Sequence, residues 1–180
     1  MLSTTLQELS IKDLLEISLP THDDDRGFFR EVARISHIEK HTGNPFNVLQ
    51  MNHARSSKNT LRGIHIAPWN KIIYVTRGLV QAVIIDARKG SETYGRHHSI
   101  ELGDNNRSAI FIPKGCGNSY LVLSEEADYT YLTDEEWAPN KEVGILWNDP
   151  ALQIDWKLTG HPNLSEKDKV NPLLKEVHKS

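Results

Sequence analysis

The sequence predicts an all-β protein, an antiparallel double-sheet jelly roll with short peripheral helices, and two observations carry that reading. The first is a series of short apolar, β-branched runs at 71–86, 99–102, 108–113, 119–123 and 128–132, each bounded by Gly, Asn, Asp or Pro. The second is the lack of helical stretches alternating with them, which argues against a parallel α/β sheet.

In the longest run, two apolar halves flank Arg77-Gly78, and the whole of 71–86 reads as a hairpin. Upstream, 28–32 and 47–52 read as two more strands, separated by a polar segment at 36–40 suited to a short helix. The tail from Asp155 is polar and ends in a lysine-rich stretch, suited to a short helix or a frayed end. At 180 residues, with no internal repeat or linker, the chain is expected to form a single domain over 1–180, with its core at about 20–156 and a tail at 157–180.

Composition narrows the function. A net charge of −3 argues against a general nucleic-acid or anionic-membrane binder, whose basic surface would show in the balance. Any anionic ligand then needs a locally basic pocket. Cys116 is the single cysteine and cannot close an internal disulfide, so the cytoplasm is the expected location. Glu8, Lys12, Asp13 and Glu16 break up the apolar residues near the start before a secretory run develops, so no signal peptide is expected. Nowhere do about eighteen apolar residues run together, so no membrane span is expected either.

Four short islands draw attention: Asp25-Arg-Gly-Phe-Phe29, Leu61-Arg-Gly-Ile-His65, Ile112-Pro-Lys-Gly115 and Leu164-Ser-Glu-Lys-Asp168. With Lys71 and Tyr131 they supply an imidazole, an ammonium, a phenol and a carboxylate, the groups that proton transfer beside a carbonyl requires. Each has a plainer reading alone: His65 a satisfied interior histidine, Lys71 a strand-edge lysine, Tyr131 a packing residue, Asp168 a solvated tail carboxylate. No metal set is evident, because the adjacent His97 and His98 would point to opposite faces of a strand and could not converge on one ion.

Taken in order from about Asp24 to Asp168, these islands resemble the dTDP-4-dehydrorhamnose 3,5-epimerase family, the RmlC-like sugar epimerases of the cupin superfamily. Gln50-Met-Asn-His53, Arg55-Ser-Ser-Lys58 and Trp147-Asn-Asp-Pro150 extend the match. The resemblance implies a cupin jelly roll and an isomerase, needing no cofactor, that inverts carbon 3, carbon 5 or both of a nucleotide-linked 4-keto-6-deoxy sugar through an enolate. It makes His65 the base, Asp168 its partner, Lys71 the group at the ketone oxygen and Tyr131 the opposing acid. It assigns Arg26, Glu31, Gln50, Asn52, Arg62 and Glu142 to the nucleotide and sugar, with Arg26 and Glu31 reaching across a homodimer.

This chain departs from the family pattern on the ligand side. Asn118 stands where a histidine is usual, Trp137 where a tyrosine stacks on the base, and Met51 and Ala67 where Asp and Gln are usual. Both Asn118 and Trp137 remain candidate substrate contacts. The segment from His65 to Lys71 is shorter than the family loop. Because Ile66 and Ala67 follow His65, the paired histidines of a metal-dependent cupin oxygenase are missing. Two alternatives stay open on the same scaffold: a sugar 3,4-ketoisomerase and a non-catalytic nucleotide-sugar-binding cupin.

Overall fold

The structure is a computed structural model, and it describes residues 5–177. Strands β1 (Thr5–Glu8), β2 (Leu15–Ser18), β3 (Thr21–Asp24) and β4 (Gly27–Arg30) precede helix α1 (Ile35–Thr42). There follow β5 (Gln50–Ser57), β6 (Leu61–Ile66), β7 (Lys71–Arg77), β8 (Leu79–Asp86), β9 (His97–Gly103), β10 (Ala109–Ile112), β11 (Cys116–Val122), β12 (Glu126–Thr133) and β13 (Val143–Gly144). A one-turn helix α2 (Glu166–Lys169) and a 3-10 turn at Leu174–Glu176 complete the described chain. Residues 178–180 of the lysine-rich end, and 1–4 of the opening stretch, lie outside the described residues.

Two antiparallel sheets face each other. One has the order β1-β2-β10-β7-β12-β5 and the other β13-β6-β11-β8-β9, while β3 and β4 form a separate two-stranded ribbon. Between the sheets lies the main core, with Ile73, Val75, Ile110 and Tyr129 from the first sheet against Val80, Ala82, Ile84, Tyr120 and Val122 from the second. The continuous apolar runs of β7 and β8 follow from this layering. Alternate residues of β8, Val83 and Ile85, point away from the core and pack under Ile145, Leu152 and Leu174. Likewise Ile72 of β7 turns outward to meet Ile38 of α1 and Phe46. Both sheets are therefore covered on the outside, which removes the polar alternation of a half-exposed strand.

The run at 71–86 is two strands, but it is not a hairpin. β7 pairs with β10 and β12, whereas β8 pairs with β9 and β11 in the opposite sheet. Gly78 is the corner between sheets: its φ of +80° suits glycine, and a Cβ there would sit 2.2 Å from the Glu126 carbonyl oxygen. Two strands upstream of those read from the sequence also join the sheet. β2 pairs with β10, and Leu15 and Ile17 are fully buried. Among the described residues no helix is long and apolar enough to cross a membrane.

Candidate active site

A cavity of about 510 Å³ opens between the two sheets, and His65, Lys71, Tyr131 and Asp168 all line it. His65 comes from β6 of one sheet, and Lys71 and Tyr131 come from β7 and β12 of the other. The imidazole and the phenol are thus presented from opposing walls.

Gly63 makes the local geometry of β6 possible. Its φ is +114°, and a Cβ would lie 2.7 Å from the Asn118 carbonyl oxygen on neighbouring β11. The same glycine's N–H donates to Asp168 Oδ2 at 3.5 Å, so the Leu-Arg-Gly-Ile-His motif binds the carboxylate at two points. The second point is His65 Nε2 to Asp168 Oδ1, at 2.8 Å. That hydrogen bond fixes the ring and leaves the other nitrogen to act as a base.

Asp168 is brought in from the tail by its own motif. Ser165 caps α2, its Oγ accepting from the Asp168 N–H at 3.1 Å, and the turn places the carboxylate inward with only 5 % of its side chain exposed. Upstream, the Leu61 N–H donates to the Asn163 carbonyl, which ties the tail to the start of β6. Burial pushes the Asp168 carboxyl up, but hydrogen bonds from His65, Ser165 and Gly63 outweigh it and hold the group below its usual value. The carboxylate therefore stays ionised at neutral pH and favours an imidazolium beside it.

On the opposite wall Lys71 is 7 % exposed, and its Nζ lies 4.9 Å from the centre of the Tyr131 ring. Burial lowers its pKa to about 8, with the Glu142 carboxylate acting in the other direction. Burial first, then the charge of Glu142, raises the Tyr131 hydroxyl above its ordinary value, so it is a neutral proton donor across the physiological range.

The candidate binding residues divide into three groups. Arg62, Asn118, Trp137 and Glu142 line the cavity. Asn118 is buried and its amide bonds the Tyr129 hydroxyl at 3.1 Å, forming the floor with the stacked rings of Tyr120 and Tyr129. Trp137 is half exposed at the rim, where its Nε1–H donates to Glu142 Oε2 at 3.1 Å. Gln50 and Asn52 stand behind it: Gln50 Oε1 accepts from the Trp137 N–H at 2.8 Å, and Gln50 Nε2 donates to Asn52 Oδ1 at 2.7 Å.

Arg26 and Glu31 are not in this chain's cavity. Each is spent on a surface neighbour, Arg26 on Asp24 and Glu31 on Arg34. Sequence reasoning does not single out Lys167, a second cation on the cavity wall, although it sits inside the Leu-Ser-Glu-Lys-Asp motif. With Arg62 it provides the local positive charge that an anionic ligand requires.

Comparison with known proteins bears on the family and the fold. The family model described as dTDP-4-dehydrorhamnose 3,5-epimerase matches residues 8–176. A dTDP-4-dehydrorhamnose 3,5-epimerase of Pseudomonas aeruginosa is 40% identical over 164 residues, covering 89% of this chain and 91% of that protein. Among solved structures, NovW, a 4-keto-6-deoxy sugar epimerase from the novobiocin biosynthetic gene cluster of Streptomyces spheroides, superposes with a TM-score of 0.94 at 32% identity, covering 98% of this chain and 90% of that one. The RmlC enzyme of Legionella pneumophila, solved with dTDP-4-keto-L-rhamnose, gives a TM-score of 0.93 at 33% identity, covering 98% and 96%. With a family model matched over 8–176, relatives of this identity and coverage and the same fold, this chain belongs to the dTDP-4-dehydrorhamnose 3,5-epimerase family.

Proposed function

We propose that the cavity binds a dTDP-linked 4-keto-6-deoxy sugar and inverts the stereocentres beside its ketone, with His65 as base, Lys71 as stabiliser of the enolate oxygen and Tyr131 as acid. The observation that carries the assignment is the placement of an oriented imidazole and a protonated phenol on opposing sheets of one cavity. Inversion demands this, since a single group returning its own proton would restore the starting centre. His65 removes the proton on the carbon next to the ketone, and the electron pair moves into the carbonyl to give the enolate. The Lys71 ammonium faces the oxygen on which charge develops; a donor of this kind is worth about 3–4 kcal/mol of barrier. Tyr131 then protonates the other face. The names of the relatives support the dTDP-linked substrate, and Arg62, Lys167 and Trp137 offer charge and a stacking face for its diphosphate and base.

The reaction is tested by incubating the protein with a dTDP-4-keto-6-deoxyhexose in deuterated water and following the sugar by NMR. Label is expected at carbon 3, carbon 5 or both, with inverted configuration, and His65→Ala is expected to lower incorporation at least 10²–10⁴-fold. A product with its carbonyl moved would instead make the protein a ketoisomerase. No incorporation at all would leave a binding protein.

The proposal includes a homodimer. The β3–β4 ribbon carries Arg26 together with Phe28 and Phe29, which are 50% and 71% exposed. β5 is a sheet edge with Met51 68% exposed. Sedimentation velocity reads the state directly, and mixing Arg26→Ala with His65→Ala protein should restore activity if Arg26 serves the partner's cavity. A cytoplasmic location completes the reading; it rests on a buried lone cysteine with no disulfide to make.

A further inference from the structure

Lys71 is held unusually for a residue of its assigned role. Its ammonium has no ion-pair or hydrogen-bond partner among the described residues, so its position depends on where the backbone of β7 begins. That start is flanked on both sides: Lys71 pairs with Ile112, the last residue of β10, and with Thr133, the last residue of β12. Beyond these ends the ladders stop, and one side chain continues the connection in both directions.

That side chain is Asn70. Its backbone N–H donates to Asp134 Oδ1 at 2.8 Å and its Nδ2 to Asp134 Oδ2 at 2.6 Å, joining it to the residue after β12. Its Oδ1 accepts from the Lys114 N–H at 3.0 Å, joining it to the turn after β10. The Gly115 N–H donates to the Ala67 carbonyl at 2.8 Å and pins the other end of the short segment. The turn of the Ile112-Pro-Lys-Gly115 motif therefore holds the loop that delivers Lys71. Asn70 and Asp134 face a separate cavity of about 470 Å³ and not the catalytic one, as alternation along a strand requires.

We propose that Asn70 and Asp134 are positioning residues for the reaction, forming a clasp that fixes the start of β7 and so sets the Lys71 ammonium against the ketone oxygen. The proposal rests on the role assigned to Lys71 above. Carboxylate–amide contacts of this length are directional even when only partly buried, and displacing a catalytic group by about 1 Å can cost on the order of 10²-fold in rate.

The chemistry of the clasp permits a reciprocal test. Asp134→Asn sets an NH₂ against the Asn70 NH₂, and Asn70→Asp sets a carboxylate against a carboxylate. The double variant N70D/D134N restores all three hydrogen bonds with one donor–acceptor pair reversed and the same net charge. Each single variant is expected to lose roughly 10–100-fold in kcat with KM changed less than about threefold. The double variant should recover most of the loss. The basic limb of the kcat/KM profile should move to higher pH in the single variants, as a displaced Lys71 becomes better hydrated, and return in the double.

Assays run well below each variant's unfolding midpoint. Should either charge variant fail to fold, Asp134→Ala, which empties the contact without adding a repelling group, is expected to show the same kcat loss. Unchanged kcat in the single variants, or a loss the double variant does not recover, overturns the clasp. Lys71→Met separates the two layers: retained activity there would overturn the role of Lys71 itself, whereas a dead Lys71→Met beside fully active clasp variants would overturn the clasp alone.

Discussion

Tyr129 and Tyr131 share strand β12 and, two positions apart, share a face of it. Tyr129 is 1% exposed, its ring stacks on Tyr120 with centroids 4.0 Å apart, and its hydroxyl is engaged by Asn118. Tyr131 is only partly buried, its ring lies beneath the Lys71 ammonium, and its hydroxyl makes no hydrogen bond among the described residues. One phenol is consumed by the floor and the other is presented to the cavity. The difference shows that availability for chemistry is set by where a strand leaves the packed interior, and not by residue type.

Exchanging each hydroxyl for hydrogen is the sharpest way to break that contrast. Tyr131→Phe should lower inversion about 10²–10⁴-fold, while His65 continues to exchange solvent deuterium into the retained configuration, a split visible by NMR. Equal loss of exchange and inversion would remove Tyr131 from the acid's role. Lys71→Met should lower both together, by about 10²–10³-fold, because it acts on the enolate common to both.

The titration of Lys71 gives a gentler effect. Its pKa is lowered to about 8, so the ammonium is present below that pH and lost above it, and kcat/KM should fall as pH rises through about 8. Lys71→Arg should abolish that limb even if it is slower, since a guanidinium does not deprotonate there. Smallest in activity, Tyr129→Phe should leave turnover within a few-fold and lower unfolding free energy by about 1–3 kcal/mol in urea titration, because the buried Asn118 amide loses its partner. A large kcat loss there would erase the distinction between floor and wall.

Much of this architecture is legible in the residues. Turn signals and β-branched runs locate strands β9 to β12, and the motif order around His65 and Asp168 marks residues that meet in the fold across 103 positions. The Arg77-Gly78 break misleads because a glycine corner between sheets and a hairpin turn share the same local signal; only long-range pairing separates them. β1 and β2 escape the pattern since Leu14, Leu15 and Ile17 are interrupted by the charge of Glu16, which shares the face of Ile110 in a short strand next to the sheet edge. The clasp at Asn70 and Asp134 carries no motif at all. Its meaning arises from Lys71 being flanked by two strand ends, which no linear spacing records.

The 103 positions between His65 and the carboxylate that orients it also have a temporal side. At ordinary translation speeds, of about 5–20 residues per second, His65 is made roughly 5–20 s before Asp168. By then every strand has been synthesised, but until then the imidazole lacks the group that aligns its ring and the cavity lacks its wall at 163–168. Alignment of the imidazole is thereby made to wait on late residues: a nascent chain can pair its sheets, but the turn at 166–169 brings Lys167 to the cavity wall and Asp168 to the ring.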